Sequence, residues 1–188
     1  MIKAIIFDCF GVLAEDGWLP LKRKYVGDNQ TLADEIADLG KQNEYGYIDN
    51  TTLLEHMAKL MRIDQTVLEE ALHKRVPNTA LFAFIQNKLK PHYKIGLLTN
   101  ANYNVLTDLF TKEQAALIDV SVMSFESKLI KPDPAMFALM VKRLGVSPEE
   151  CLLIDDVERY CTAAETFGMQ TIWWQSQERG IQQLKNIA

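Results

Sequence analysis

The chain reads as an α/β protein: a doubly wound, parallel, five-stranded Rossmann-like core carrying a small inserted α-helical cap. Three observations carry that expectation. Short apolar runs rich in β-branched residues lie at 2–7, 94–99, 119–124, 151–154 and 170–174, and continuous runs of that length suit strands buried on both faces. Segments of helical periodicity separate the later runs, and such alternation implies right-handed crossovers in a three-layer core. The stretch from about 17 to 89 breaks the alternation, with helical patterning and no convincing strand.

In chain order, IKAIIF at 2–7 ends at Asp8 and a turn containing Gly11. Helices are expected at roughly 31–44, 50–61, 64–74 and 78–89. In the second of these, Leu53, Leu54, Met57, Leu60 and Met61 form one apolar stripe at i, i+1, i+4, i+7 and i+8. The domain reading is therefore 1–16 with 90–188 as core and 17–89 as cap. After KIGLLT at 94–99, helices are expected at 102–110, 134–144, 157–167 and 176–186, with Gly145 as the stop of the second. Core packing accounts for most Met and aromatic residues of the cap, and Trp173 and Trp174 read as strand-end core. Trp18, Tyr25, Tyr45 and Tyr47 could line a pocket or pack within the cap.

Composition narrows the function. A chain of 188 residues with 48% hydrophobic and 24% charged residues suits one well-buried domain plus a modest insertion. The formal charge of -5 and the lack of a Lys/Arg stripe argue against nucleic acid as partner. Cys9, Cys151 and Cys161 show no paired metal-ligand spacing, and His56, His73 and His92 stand alone, so a structural zinc site has little support and reduced thiols in a cytoplasmic protein fit best. The first apolar run is too short to span a bilayer and lacks a cleavage site, so neither membrane insertion nor secretion is expected.

Four strand ends carry polar groups suited to phosphoryl transfer: Asp8, Thr99 with Asn100, Lys131 in KLIKPDP, and Asp155 with Asp156. Parallel α/β sheets gather the carboxyl ends of their strands at one crevice, where these groups could meet. A carboxylate at Asp8 can attack phosphorus and form an aspartyl-phosphate, though a strand-end Asp also suits a turn. Asp155 and Asp156 repel each other unless a cation neutralises them, and Mg²⁺ takes a few protein oxygens while bridging to phosphate; helix capping is the structural alternative. Thr99 and Asn100 could hold phosphate or cap a helix. Lys131, before the stiff Pro132-Asp133-Pro134 segment, could aim its ammonium at a phosphate or be a solvated loop lysine.

Taken together, FD..GVL, LLTN, KPDP and LLIDD..E....A, with the following Gly168, resemble the motifs of the haloacid dehalogenase superfamily. The insertion resembles the family's small helical cap, and NEYGYID at 43–49 is similar to a stretch in its sugar-phosphatase-like and epoxide-hydrolase amino-terminal branches. The resemblance implies a hydrolase with Asp8 as nucleophile. Mg²⁺ would be held by Asp8, the backbone carbonyl of Phe10, Asp156 directly, and Asp155 alongside or through water. Thr99, Asn100 and Lys131 would hold the phosphoryl group of a small phosphorylated metabolite.

Phe10 departs from the pattern, because the family carries there a second aspartate that protonates the leaving oxygen. Losing a positioned acid/base typically costs about 10²- to 10⁴-fold in rate. Glu15 or Asp16, just beyond the first motif, could substitute. Two alternatives to an active phosphatase follow: a phospholigand-binding protein with impaired turnover, and, ranked below it, a haloacid dehalogenase, whose branch has an aromatic residue at this position but no need of the paired carboxylates.

Overall fold

The structure is a computed structural model that describes all residues but 46, 74 and 188, and the side chains of all but these and residues 19, 44, 72 and 73. Its centre is a parallel five-stranded sheet of order β3-β2-β1-β4-β5. The strands are β1 (Ala4–Phe7), β2 (Lys94–Thr99), β3 (Val120–Met123), β4 (Cys151–Asp155) and β5 (Gln170–Trp173). All five expected runs are strands. β1 is central and wholly buried, pairing with β2 through Ile5↔Ile95 and with β4 through Ile5↔Leu152.

Alternation along β1 divides the core. Ile5 and Phe7 face one layer, with Leu81, Phe82, Ile85, Val105 and Leu184. Ala4 and Ile6 face the other, with Met136, Phe137, Met140, Leu144 and Ala164. Helices on both faces explain why the inner strands, β1, the middle of β2 and β4 up to Asp155, are apolar without polar interruption.

Helices α1 (Trp18–Leu21, running into a π-helical turn at Lys22–Val26), α2 (Gln30–Glu44), α3 (Asn50–Met61) and α4 (Gln65–His73) follow β1. Asn29 and Asp49 cap α2 and α3 by accepting from Leu32 N and Thr52 N, satisfying end amides that would otherwise lack partners. Their apolar faces form a separate cluster of Leu21, Val26, Ile36, Met57, Met61 and Leu68, against which Trp18, Tyr25 and the stripe residues Leu53, Leu54 and Leu60 pack.

α5 (Thr79–Phe84), with the π-helical turn Ile85–Leu89, differs from its expected place in the cap. Leu81, Phe82, Ile85 and Leu89 are buried in the same cluster as Ile5 and Phe7, so this segment packs on the sheet. Helical periodicity alone does not say which apolar surface a helix covers.

The return half continues with α6 (Val105–Asp108), α7 (Lys112–Ala115), α8 (Ser124–Ser127), α9 (Pro134–Leu144), α10 (Glu158–Phe167) and α11 (Gln177–Lys185). The helix expected from 102 begins only at Val105, because the Asn104 side chain accepts from Leu106 N and sets the start there. α9 starts at Pro134 under an Asp133 cap and stops at Gly145 in a left-handed conformation, φ 66.

Trp173 departs from the core expectation: it is 40% exposed, whereas Trp174 is buried over Gly180, where a Cβ would lie 1.9 Å from the ring. Trp174 packs into the cluster with Leu184, whereas Trp173, at the end of the edge strand, is left partly open. Among the described residues no helix is long and apolar enough to cross a membrane, and Cys9, Cys151 and Cys161 are free and buried.

Candidate active site

The sheet brings the expected polar residues together at the carboxyl ends of β1, β2 and β4, where the chain turns from one side of β1 to the other. Asp8 is the first residue after β1; its N–H continues the ladder to Ile154 O at 2.9 Å, and its Oδ1 accepts from Cys9 N at 2.7 Å. Asp155 is the last residue of β4. Lys131 reaches both, with Nζ 2.9 Å from Asp8 Oδ1 and 2.5 Å from Asp155 Oδ2.

Lys131 is 1% exposed, far from a solvated loop lysine. Its backbone is clamped by Asn100, whose Oδ1 accepts from Lys131 N at 2.7 Å and whose Nδ2 donates to Lys131 O at 3.1 Å. Asn100 thus fixes the lysine's main chain.

Asp8, Asp155 and Asp156 offer ligand oxygens within 4.8 Å of one another. Asp155 spends both oxygens on protein donors, Lys131 Nζ and Val157 N at 2.9 Å. Asp156 has no side-chain donor among the described residues and is half-buried. Gly11 lets the first loop run against it: at φ +83, a Cβ there would lie 2.2 Å from Asp156 Oδ2.

The electrostatics follow from one ammonium facing three carboxylates. Burial, together with the Asp8 and Asp155 charges, pushes Asp156 up to about 7. Burial likewise raises Asp8 to about 6, against the pull of Lys131 and with the push of Asp155. For Lys131 burial acts downward, but Asp155 and Asp8 outweigh it and hold the ammonium above its ordinary value. Excess negative charge beside carboxylate oxygens that no described side chain donates to is the donor set of a hard divalent cation. The residues fit Mg²⁺.

Thr99, at the end of β2, is 0% exposed, and its Oγ1 has no hydrogen-bond partner among the described residues. A buried hydroxyl of that kind costs free energy until an acceptor arrives. Phe10 is half-buried, packed at the edge of the core cluster, and its ring lies 6.3 Å from that of Tyr103. Arg75 covers Phe10, with its guanidinium carbon 3.9 Å from the ring centroid.

Of the two candidate acids beyond the first motif, Glu15 is exposed. Asp16 is half-buried, accepts from Trp18 N at 2.9 Å, and adds to the upward push on Asp156. Beside Asp156 opens a cleft of about 800 Å³ whose walls include Gly11, Asp16, Arg23, Thr79 and Trp173.

Asn102 donates to Asn43 Oδ1 at 2.9 Å and also to Asn50 Oδ1, tying the loop after β2 to α2 and α3. Sequence reasoning missed Arg75, Asn102 and Tyr103, because none belongs to a recurring spacing. The 43–49 stretch is described only in part, residue 46 and the Glu44 side chain lying outside the described residues. Tyr45 and Tyr47 stack with centroids 5.8 Å apart, and Tyr47 is 79% exposed.

Known proteins resemble the chain over most of its length. Residues 2–168 match a hydrolase family, the haloacid dehalogenase-like hydrolases. The chain is 24% identical to a phosphatase of Mycobacterium tuberculosis, over 90% of this chain and 85% of that protein. It is 23% identical to an (S)-2-haloacid dehalogenase of Pseudomonas sp., over 91% and 83%. Among solved structures, a HAD-like family hydrolase of Porphyromonas gingivalis superposes with a TM-score of 0.69 at 25% identity, covering 98% of both chains. A HAD family enzyme of Bacteroides thetaiotaomicron, solved as a mutant in complex with magnesium and inorganic phosphate, gives a TM-score of 0.64 at 23% identity, over 92% of this chain and 93% of that one.

Proposed function

The chain belongs to the haloacid dehalogenase-like hydrolase family, and on that premise we propose that it is a Mg²⁺-dependent phosphatase acting on a small phosphomonoester through an aspartyl-phosphate on Asp8. The observation that carries this reading is the crowding of Asp8, Asp155 and Asp156 around the single ammonium of Lys131. Displacing a halide needs no such surplus of carboxylate, so dehalogenation is the weaker reading despite the dehalogenase among the relatives. Free buried thiols accord with a reducing, cytoplasmic setting.

Asp8, the Phe10 carbonyl and Asp156 would hold Mg²⁺, with Asp155 behind them, and the ion would neutralise charge on the transferring phosphoryl group. Lys131 neutralises further charge, and Thr99 Oγ1 donates its unused hydrogen to a phosphoryl oxygen. Asp8 Oδ attacks phosphorus, and the bond to the leaving oxygen breaks with its electron pair, the departing alkoxide taking its proton from Asp16 or solvent. A water then attacks the same phosphorus and gives its proton to the same group, the Asp8–phosphorus bond breaks with its electron pair returning to Asp8, and inorganic phosphate is released with the Asp8 carboxylate regenerated.

Phe10 can neither give nor take a proton. Glu15 and Asp16 both line the cleft with Asp156, and Asp16, half-buried and adding to the charge on Asp156, is the favoured substitute over the exposed Glu15. Substrates with acidic leaving groups should therefore turn over best, since they leave without protonation.

The test is hydrolysis of p-nitrophenyl phosphate against a panel of sugar phosphates and 2-chloropropionate, with Mg²⁺ and with chelator, using Asp8→Asn as the blank. Mg²⁺-dependent release of phosphate that vanishes in the variant supports the proposal. Phosphate binding without turnover would favour a binding protein, and chelator-resistant chloride release a dehalogenase.

A further inference from the structure

Arg75 carries a charge that no described residue answers. The segment bearing it returns from α4 to α5 and is pinned beside the first loop: Glu15 N donates to Val76 O at 3.0 Å, and Asn78 N to Leu13 O at 2.8 Å. The guanidinium stacks on Phe10 with its carbon 3.9 Å from the ring centroid, lies 5.9 Å from the Tyr103 centroid, and donates from Nη1 to Tyr103 Oη at 2.9 Å. Nε is buried with no acceptor among the described residues. Among the described residues no acidic side chain pairs with it.

Arg75 is half-buried, and two aromatic faces and a neutral hydroxyl offset only part of the cost of burying its Nε side. Among the described residues the group has no anion, and Nε is the donor left over. Its supports belong to the two loops that carry the chemistry: Phe10 stands two residues after Asp8, and Tyr103 three after Asn100. The core side of the crevice presents Lys131 and Thr99 to the phosphoryl group, so the rest of a substrate extends outward past these loops.

We propose that Arg75 is the specificity residue of this site. Braced by Phe10 and Tyr103, its planar fork binds an oxyanion on the alcohol portion of the substrate, and the preferred substrates are phosphomonoesters bearing a second anionic group. This rests on the phosphatase reading for the chemistry, but not for the binding. It also gives Phe10 a purpose: a flat ring there seats the guanidinium, where a carboxylate would pair with it and fill the donor.

Equilibrium binding tests this independently of turnover. Calorimetric titration with Mg²⁺ would compare phosphoglycolate, which carries a carboxylate, propane-1,3-diol bisphosphate, which carries a second phosphate, and ethyl phosphate, which carries neither. The proteins would be Asp8→Asn and its combinations with Arg75→Met and Arg75→Lys. Asp8→Asn should bind one or both second-anion ligands more tightly than ethyl phosphate, and whichever is preferred identifies the anion. Arg75→Met should lower that selectivity ratio about 10- to 100-fold, the worth of a charge-assisted bidentate contact, and Arg75→Lys should restore part of it.

An unchanged ratio, or equal loss for all three ligands, overturns the proposal. If Arg75→Met fails to fold, Arg75→Lys and Tyr103→Phe carry the same test, each expected to lower the ratio. Absence of hydrolysis by the unmutated protein, with the binding selectivity intact, would defeat the phosphatase reading and leave the Arg75 assignment standing.

Discussion

Replacing Asp156 with Asn should stabilise the metal-free protein while abolishing its response to Mg²⁺. Asp156 is held at about 7 in the folded state, against an ordinary 3.8, by burial and by Asp8 and Asp155. A displacement of that size corresponds to about 4 kcal/mol of unfavourable charging at high pH, and partial solvent access reduces it to about 2 kcal/mol. Because the folded value lies above the unfolded one, the folded state binds more protons between about pH 4 and 7 and loses stability as pH rises through that window. Asn keeps the shape and removes the charge. For a chain of this length the gain is about 4 to 8 °C in melting temperature at pH 8 without metal, shrinking towards zero below pH 4. Thermal melts at pH 4 to 8, with chelator and with Mg²⁺, read it directly. Mg²⁺ should raise the melting temperature of the unmutated protein and leave Asp156→Asn nearly unmoved. A variant that melts no higher than its parent at pH 8, or by a margin independent of pH, would refute the reasoning.

Other substitutions separate stability from chemistry. Thr99→Val replaces a buried, unpartnered hydroxyl by a methyl group, so stability should hold or rise by about 0.5 kcal/mol while kcat/KM falls about 10- to 100-fold; denaturant melts and phosphate-release kinetics check the pair. Lys131→Met leaves Asp8 and Asp155 facing each other without their ammonium, and urea unfolding should show a loss of about 3 to 5 kcal/mol. Asn100→Ala breaks both bonds to the Lys131 backbone, costing about 1 to 3 kcal/mol together with most activity. Asp16→Asn should slow substrates with poor leaving groups far more than p-nitrophenyl phosphate, whereas Glu15→Gln should slow neither selectively; parallel kinetics on the two substrate types decide it.

Strands and catalytic candidates were legible because both are written locally. Continuous apolar runs mark strands buried on both faces, and each candidate residue sits at a strand end, which parallel topology gathers at one edge of the sheet. Asp8, Thr99, Lys131, Asp155 and Asp156 therefore needed no long-range information. The place of 79–89 was different: an amphipathic helix announces that it buries a face, and only packing reveals that Leu81 and Ile85 meet Ile5 rather than Met57. The same limit hid the Phe10–Arg75–Tyr103 stack, built from three segments with no common spacing. Trp173 and Trp174 show the residue-level version, since only packing reveals that Trp174 joins the cluster of Leu184 while Trp173 is left partly open at the sheet edge.

The central claim is that Asp8 becomes transiently phosphorylated. The direct measurement is rapid acid quenching of the protein during turnover of a ³²P-labelled phosphomonoester with Mg²⁺, followed by peptide mapping. The account predicts hydroxylamine-labile label on the peptide containing Asp8, lost with chelator and in Asp8→Asn. Turnover that proceeds with no label on that peptide, or with label on another residue, would contradict it.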